Sequence, residues 1–362
     1  MPVHSIHIDG YRSIRSLHLD LGRITVVVGA NGTGKTNVYR AVRMLSVAAE
    51  GRLSHTLAEE GGIPSVLWAG KRGRNEPGLW SVEVEMDDLA YQLSCGIVPP
   101  PQGPFKLDPE VKEERLWVLQ GKRRHLMAQR ESGTAFVRDA EGKRTTFPAE
   151  IWGGESLLAQ LTEPHRFPLL SIARSEFLRW RFYHHFRTDP AAPLRSPQVG
   201  VRTPALAHDG RDLAAALTTI DEIGDRGALH AAVERAFPGS NLELAVDDGR
   251  FSFQLRSPGL LRPLSPTELS DGTIRYLCLV AALLSPRAPP FLALNEPETS
   301  LHSDLLEPLA ELIVDASSRS QIFVTTHAQR LAERLHRSGA FCVELAKVEG
   351  ATGIVEPTNE EP

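Results

Sequence analysis

The chain has 362 residues, a formal net charge of −5, and 41% apolar, 23% charged and 6% aromatic residues. This length predicts two or three packed lobes around a sizeable core, which excludes a short peptide or a fibrous array. The composition is that of an ordinary globular protein and excludes extensive disorder.

Membrane and secreted classes are also disfavoured. The longest apolar run, residues 276–284, is far shorter than the roughly 20 residues of a bilayer span. Residues 1–14 contain no apolar core of a signal peptide. Cys95, Cys278 and Cys342 lie far apart, a spacing that indicates neither a disulfide framework nor a zinc site. We therefore expect a cytoplasmic protein with no membrane association.

The first predicted elements are strands. Ile24–Val28 is a continuous β-branched and apolar run, typical of a strand buried on both faces. The apolar residues 38, 41, 42 and 45 then have the spacing of an amphipathic helix. Residues 80–98 and 115–147 contain short alternating segments separated by turn residues, which predicts antiparallel sheet with hairpins.

The second half of the chain predicts a different architecture. Helices are expected over 171–186 and 212–237, and residues 242–246 and 251–255 flank a hairpin signal, Asp247-Asp248-Gly249-Arg250. From residue 274 onward helices alternate with strands over 291–295, 321–325 and near 341. Such alternation predicts a parallel sheet with crossover helices.

One segment carries a specific chemical signal. The phosphate-binding pattern G-x-x-x-x-G-K-[ST] is matched by Gly29-Ala30-Asn31-Gly32-Thr33-Gly34-Lys35-Thr36, between the predicted strand and helix. In such a loop the backbone N–H groups and the helix N-terminus point at phosphate oxygens, the lysine reaches the β- and γ-phosphates, and the hydroxyl binds Mg²⁺. A glycine-rich turn that precedes Lys-Thr by chance is the alternative, and the strand–loop–helix context disfavours it.

Further segments follow in a fixed order. Residues 269–273, LSDGT, resemble the L-S-x-G signature of ABC-type ATPases. Residues 291–299, FLALNEPET, resemble a Walker B strand followed by the catalytic glutamate, and residues 300–304, SLHSD, resemble the D-loop. Residues 322–327, IFVTTH, resemble the strand that ends in the switch histidine.

Together these segments resemble the ABC-type ATPase heads of the RecF and SMC class, and most closely bacterial AAA-family ATPases that have the head without long coiled coils. The resemblance implies an α/β P-loop NTPase fold with a mainly parallel core sheet, an antiparallel β subdomain and an inserted helical lobe. The predicted organisation is an N-terminal ATPase lobe over 1–165, an inserted lobe over 166–262 and a C-terminal ATPase lobe over 263–362.

The resemblance also implies roles for individual residues, with ATP and Mg²⁺ as cofactors. Glu296 would polarise the attacking water, His327 would contact the γ-phosphate, and Lys35 would act on the phosphates. The residues expected to bind phosphates or Mg²⁺ in the loop are Gly29, Asn31, Gly32, Thr33, Gly34, Lys35, Thr36 and Asn37. Ser270 and Gly272 would reach the nucleotide of a second subunit. Asp304 would cross that interface or, alternatively, cap the following helix, and His327 has the alternative of a surface histidine at a strand end.

The sequence departs from the family at one informative position. Asn295 stands where the Walker B strand usually ends in aspartate, so a metal ligand beside Thr36 loses its charge. We expect weaker Mg²⁺ affinity and a slow ATPase, ATP + H₂O → ADP + phosphate, because Lys35, Thr36 and Glu296 remain. The alternative is an ATP-bound switch that barely hydrolyses.

The implied assembly is an ATP-dependent head-to-tail homodimer. One candidate further partner is double-stranded DNA, bound as in RecF by the stretch 166–211, which runs from Arg166 to Arg211 and holds eight arginines against three carboxylates. Lys122, Arg123 and Arg124 are further candidate contacts of the same hypothesis. The alternative for this stretch is a solvated face that pairs with acidic neighbours. A second candidate partner is an effector protein, such as a toxin or a defence effector, controlled by the ATP-bound dimer.

Overall fold

The computed structural model describes residues 1–73, 76, 78–97, 104–131, 133–148 and 151–355. The chain forms two compact units. Unit 1 comprises Met1–Gly22, Val27–Trp180 and Val343–Pro362, and unit 2 comprises Arg23–Val26 and Arg181–Cys342. The predicted division of the chain into three segments stays a prediction.

The described residues form seventeen strands and ten α-helices, with two short 3-10 turns. The strands are β1 (Val3–Tyr11), β2 (Ile14–Asp20), β3 (Ile24–Val28), β4 (Leu79–Met86), β5 (Leu89–Ile97), β6 (Pro109–Gln120), β7 (Arg123–Glu131), β8 (Thr134–Arg138), β9 (Arg144–Pro148), β10 (Arg181–Tyr183), β11 (Gln198–Val199), β12 (Asn241–Asp247), β13 (Arg250–Arg256), β14 (Phe291–Asn295), β15 (Gln321–Thr326), β16 (Phe341–Val348) and β17 (Ala351–Ile354).

The helices are α1 (Lys35–Ala49), α2 (Leu53–Glu59), α3 (Ile63–Val66), α4 (Leu157–Gln160), α5 (Pro168–Arg179), α6 (Leu213–Ile223), α7 (Arg226–Ala236), α8 (Asp271–Leu283), α9 (Leu306–Ser317) and α10 (Gln329–Arg337). The 3-10 turns are Pro193–Arg195 and Ser303–Leu305. In the described part of the chain, no helix combines the length and the apolarity that a bilayer span requires.

Unit 1 is built on an antiparallel sheet. Its strands have the order β2-β1-β4-β5-β6-β7-β8-β9, and neighbouring strands are joined mostly by short turns. Alternating side chains enter the core, where Tyr11 lies edge-on to Trp80 with ring centroids 5.8 Å apart. The Tyr11 hydroxyl donates to Glu60 Oε2 at 3.0 Å, and burial raises the pKa of the phenol. The antiparallel pairing of β4 to β9 confirms the sheet predicted from residues 80–98 and 115–147.

Unit 2 contains parallel strands in the order β10-β14-β15, and the start of β3 lies next to β15. Every residue of β14 and β15 is buried, which accounts for the apolar runs 291–294 and 322–324 within them. The register pairs Tyr183 with Leu294 and Asn295 with Thr325. Because parallel strands end at the same edge, the residues that follow these three strands come together.

Two helix predictions were wrong in their bounds. The helix expected over 171–186 runs only over α5, because Trp180 is extended and the next residues pair with β14 as strand β10. The helix expected over 212–237 is two helices, α6 and α7. Gly224 is extended at the break, and the Asp225 side chain caps α7 by accepting from the Ala228 N–H at 2.8 Å.

The predicted hairpin before the signature is confirmed. Strands β12 and β13 pair antiparallel from Asn241 opposite Arg256 to Asp247 opposite Arg250. At its tip Asp248 has a φ of 47°, a left-handed conformation that aspartate tolerates better than most residues. Asp248 is thus a turn residue, as the sequence indicated, and Asp247 is the last residue of β12 beside the turn.

Candidate functional site

The phosphate loop of unit 1 leads from β3 into α1, which begins at Lys35. Gly34 is the N-cap residue and has a φ of 109°, a conformation that side chains rarely adopt. A Cβ on Gly34 would also lie 2.1 Å from Thr352 Oγ1, and one on Gly29 would lie 2.5 Å from the Leu345 carbonyl oxygen. Glycine is therefore required at both positions for the loop to pass this close to β16 and β17.

The Lys35 side chain lies along its own loop. Its Nζ donates to the carbonyl oxygens of Gly29 at 2.7 Å and Ala30 at 3.0 Å, and the residue is buried. Thr33 Oγ1 also donates to the Ala30 carbonyl at 2.9 Å. The loop thus carries a preplaced ammonium group at the N-terminus of α1, where the helix dipole favours an anion.

The remaining loop residues have distinct environments. Asn31 and Gly32 are exposed, and Gly32 has a φ of 82°. Thr36 is half-buried in the first turn of α1. The predicted loop residues 29–37 therefore form one continuous segment from the end of β3 to the first turn of α1.

Two hydroxyl side chains from distant segments support this loop, and sequence analysis missed both. Asn37 Nδ2 donates to Ser13 Oγ at 2.8 Å, and Ser13 Oγ lies 2.8 Å from Thr352 Oγ1. Thr352 Oγ1 in turn donates to the Thr33 carbonyl at 2.7 Å. Because each bond joins elements far apart in the chain, no local pattern could have revealed the network.

Replacement of Thr352 by valine tests this support. Valine keeps the side-chain shape but leaves the buried Thr33 carbonyl and the Ser13 hydroxyl without their partner, which costs about 1–3 kcal/mol. We expect the affinity for MgATP to fall about tenfold while the fold is retained. Titration calorimetry of Thr352→Val measures the effect, and Thr146→Val at an exposed position of β9 is the matched control. Equal affinity in both variants would remove Thr352 from the loop support.

In unit 2, Asn295 ends β14 with both ends of its amide bonded. Its Oδ1 accepts from Thr325 Oγ1 at 2.8 Å, and its Nδ2 lies 2.7 Å from His184 Nδ1, so the amide donates to the ring. The Asn295 residue is only 1% exposed. The asparagine amide is thus hydrogen-bonded to the histidine that follows the neighbouring strand β10. Sequence analysis did not identify this partner.

Glu296 follows with an unusual backbone. Its φ is 46°, its N–H donates to the Thr325 carbonyl at 2.8 Å, and its own carbonyl accepts from Arg275 Nη2 at 3.2 Å. Burial lowers the pKa of Arg275, whose guanidinium lies over the Phe186 ring. A strained residue held by bonds on both sides is typical of a functional position.

His327 lies where β15 ends, and its side chain is 43% exposed. Its Nδ1 is 3.7 Å from Glu296 Oε1 and 3.2 Å from Glu298 Oε1. The structure therefore brings the predicted pair of Glu296 and His327 together. It adds Glu298, a second carboxylate that sequence analysis passed over although it stands two residues after Glu296.

Restoring the family's charge at position 295 has a consequence that depends on His184. An aspartate would face His184 Nδ1, and a proton taken up by the ring would cancel the added charge. We therefore expect Asn295→Asp alone to change the Mg²⁺ requirement little. The double variant Asn295→Asp with His184→Asn should lower the Mg²⁺ concentration for half-maximal activity about fivefold, or ~1 kcal/mol. Titration of Mg²⁺ at fixed ATP measures this concentration, and His184→Asn alone is the control. An unchanged Mg²⁺ concentration for half-maximal activity in the double variant would contradict this account.

The signature residues of unit 2 form the start of α8. Ser270 is the N-cap, and its Oγ accepts from the Thr273 N–H at 3.1 Å. A Cβ on Gly272 would lie 2.6 Å from the Ser300 carbonyl oxygen, so glycine lets the predicted D-loop approach the signature. Between them is an open cavity of about 610 Å³, lined by residues that include Ser270, Gly272, Thr273, Ser300, Leu301 and Asp304.

Asp304 does not cap the following helix. The carboxylate is 85% exposed within the 3-10 turn, where the His302 side chain accepts from the Asp304 N–H at 3.4 Å. Helix α9 begins after Leu305 without a side-chain cap. The capping alternative for Asp304 is therefore wrong, and its role at an interface stays a prediction.

The segment before the signature is held by charged side chains. Buried Arg195 donates to the Leu269 carbonyl at 2.9 Å and contacts Asp271 Oδ1 at 2.5 Å. Glu268 accepts from Arg262 and from the N–H and hydroxyl of Ser265, and these bonds lower the pKa of the carboxyl to about 2. Arg195 lies 74 residues from Leu269, so its role is visible only in the fold.

Comparison with known proteins places the chain in a family. A family model described as "AAA domain, putative AbiEii toxin, Type IV TA system" matches residues 141–333, more than half of the chain. The chain belongs to this AAA domain family. No curated protein matches it.

Solved structures show which fold this AAA domain protein shares. An Smc head bound to the C-winged helix domain of ScpA is 15% identical, with 98% of each chain covered and a TM-score of 0.60. The Smc head domain with an extended coiled coil bound to the C-terminal domain of ScpA, derived from Pyrococcus furiosus, is 13% identical, with 98% of this chain and 95% of that chain covered and a TM-score of 0.54. The predicted α/β fold of an SMC-like P-loop ATPase head is confirmed.

The arginines of the stretch 166–211 in this AAA domain protein are largely engaged by its own groups. Five of the eight lie within ion-pair distance of a carboxylate, namely Arg179, Arg187, Arg195, Arg202 and Arg211. Arg174 donates to the Ala49 carbonyl at 3.2 Å. Arg124, a candidate from the same hypothesis, pairs with Glu83 and Glu85. These pairs favour the alternative of a solvated face.

Proposed function

We propose that this chain is a slow, Mg²⁺-dependent ATPase that acts as a regulatory head on a protein partner. The observation that carries the hydrolytic part is the approach of Glu296 and His327 at the ends of neighbouring strands. A carboxylate can accept a proton from water, and a histidine beside it can donate a hydrogen bond to a phosphate oxygen. The preplaced Lys35 ammonium at the start of α1 supports nucleotide binding.

The donor set fits Mg²⁺ held chiefly by the nucleotide. Among the residues that the structure describes, no group of three or more His, Cys, Asp or Glu side chains is arranged to hold a metal ion. Mg²⁺ keeps several waters and binds through few protein ligands when phosphates supply the rest. Thr36 would hold it through the hydroxyl, and the bound ion would neutralise charge on the phosphates.

The partner is proposed to be a protein rather than DNA. The arginines of the candidate DNA-binding stretch are mostly paired within the chain, which leaves little charge to release counterions from a duplex. The family description names a toxin of a toxin–antitoxin system. Both Smc heads with this fold were solved with a protein domain bound.

We base the proposed self-association on the surface that carries the signature residues. Ser270, Gly272 and Asp304 line an open cavity at the surface of unit 2. In the proposed dimer this face of one subunit meets the nucleotide of the other, where the Ser270 hydroxyl and the N-terminus of α8 would stabilise the γ-phosphate. ATP would then join the two subunits.

Phosphate release from MgATP, measured over a range of protein concentrations with and without duplex DNA, tests the proposal. Specific activity that rises with protein concentration supports a dimeric ATPase, and activity unchanged by DNA disfavours the DNA-bound alternative. DNA stimulation that decreases with salt selects the DNA-bound alternative instead. Specific activity that does not depend on protein concentration would contradict an active site shared between two subunits.

A second candidate function is an ATP-held switch with little turnover. The neutral amide of Asn295, bonded to His184 and Thr325, favours it because the usual negative charge beside the metal is missing. Measurable MgATP binding combined with turnover no faster than that of Lys35→Ala selects this function.

A further inference from the structure

Arg275 is a buried arginine of α8 that bonds backbone carbonyls. The residue is 5% exposed, and its Nη2 donates to the Glu296 carbonyl at 3.2 Å and to the His184 carbonyl at 3.4 Å. Its Nε is buried and has no hydrogen-bond partner among the described residues. Because burial of a guanidinium with incomplete hydrogen bonding is unfavourable, packing alone does not explain this residue.

The two acceptors of Arg275 belong to segments that follow neighbouring strands. His184 comes directly after β10, and Glu296 comes directly after β14. One nitrogen of α8 therefore bonds the chain at the ends of both strands. The same helix begins at the signature, where Ser270 is its N-cap. Arg275 thus connects the helix of the signature to the backbone of Glu296.

The bond from Arg275 bears on the conformation of Glu296. This residue has a φ of 46°, which side chains rarely adopt. Its N–H donates to the Thr325 carbonyl at 2.8 Å, and its carbonyl accepts from the Thr299 N–H at 3.1 Å as well as from Arg275. A carbonyl oxygen has two lone pairs and can accept both bonds. The Thr299 bond is internal to the turn, so of these two bonds only that of Arg275 ties the carbonyl to another element.

We propose that Arg275 is a positioning residue for Glu296: its Nη2 holds the Glu296 carbonyl and so keeps the carboxylate directed at the attacking water. This inference rests on the proposed ATPase function, but its structural part can be measured without turnover. Arg275 touches neither nucleotide nor water in the proposal and acts only through the backbone of Glu296. The role belongs to the hydrogen bond rather than to the charge, because a charge alone does not fix a peptide plane.

Hydrogen exchange of the Glu296 amide, measured by NMR for individual residues, is the decisive experiment. In Arg275→Met this amide should exchange about tenfold faster or more, because its bond to Thr325 opens more often once the carbonyl is released. Arg275→Lys should have the same effect, since the lysine side chain keeps the charge but is one atom shorter and lacks the planar fork. The Ala293 amide in the middle of β14 should keep its exchange rate in both variants.

Phosphate release provides the second readout. Arg275→Met should lower kcat about tenfold or more with little change in the KM for ATP, because the residues of the phosphate loop are unchanged. Arg275→Met combined with Glu296→Gln should be no slower than Glu296→Gln alone, because both changes act on the same carboxylate. Arg319→Met is the matched control, since Arg319 also donates to two carbonyls, those of Leu283 at 3.0 Å and Ser285 at 3.2 Å, at the other end of α8.

A Glu296 amide that exchanges as slowly in either folded Arg275 variant as in the wild type overturns the proposal. If Arg275→Met does not fold, Arg275→Lys decides alone. Losses of kcat that multiply in the double variant overturn the proposal as well. Absent turnover in the wild type contradicts the proposed ATPase, whereas hydrogen exchange at Glu296 still decides the positioning role. The failures of the two proposals are therefore distinguishable.

Discussion

Replacement of Lys35 by alanine is expected to weaken MgATP binding about 100-fold or more. The ammonium group lies within hydrogen-bond distance of two loop carbonyls, at 2.7 and 3.0 Å, so it is held at the mouth of the loop before any phosphate arrives. Hydrogen bonds to charged groups contribute about 1.5–3 kcal/mol each, and loss of two such bonds to phosphate corresponds to this factor. Titration calorimetry with MgATP measures it.

The control for Lys35→Ala is Lys122→Ala, which removes the same charge at an exposed position of the turn between β6 and β7. Because Lys35 also bonds its own loop, the thermal unfolding of both variants should be compared with the wild type. Unchanged affinity for MgATP in a folded Lys35→Ala variant would mean that the nucleotide binds elsewhere on the molecule. It would contradict the assignment of the loop as the phosphate-binding site.

Replacement of Glu296 by glutamine is expected to lower turnover about 100-fold to 1000-fold while ATP still binds. Glutamine cannot accept a proton from water, and general-base catalysis contributes factors of this order. The backbone bonds from Glu296 to Thr325 and Arg275 do not involve the carboxylate, so the left-handed conformation should persist in the variant. Single-turnover phosphate release measures the rate.

The same variant also tests the assembly. If ATP joins two heads, Glu296→Gln should accumulate as an ATP-bound dimer, which light scattering detects as a higher mass than that of the wild type under turnover. Glu243→Gln, which makes the same replacement at an exposed side chain of β12, is the matched control. Turnover in Glu296→Gln equal to that of the wild type would mean that another residue activates the water, and His327 with Glu298 would then be the first group to examine.

The structure changes how Asn295 is understood. In the sequence Asn295 is the loss of a negative charge, because an amide stands where the family has a carboxylate. In the fold the amide donates to His184 and accepts from Thr325, so it belongs to a matched pair at the ends of β10 and β14. A carboxylate at this position would require the ring to take up or move a proton, which explains why the charge alone is an incomplete guide to Mg²⁺ binding.

Features that depend on neighbouring residues could be predicted from the sequence alone. The phosphate loop, the strand before it and the helix after it form one contiguous segment, and the conformations of Gly32 and Gly34 follow from requirements that glycine alone meets easily. The buried strands β14 and β15 were equally evident from the apolar runs 291–294 and 322–324. The order of the segments was enough to predict an SMC-like ATPase head.

The side chains that support these segments are brought to them by the fold. His184 meets Asn295 across 111 residues, and Ser13 meets Thr352 across 339 residues. Glu298 is near Glu296 in sequence, but its approach to His327 depends on the turn that follows β14 and on β14 and β15 ending side by side. Strand pairing and the end of α5 are likewise set by non-local packing, which overrides local helix propensity. Such contacts leave no local pattern in the sequence, because each partner alone is an ordinary polar residue.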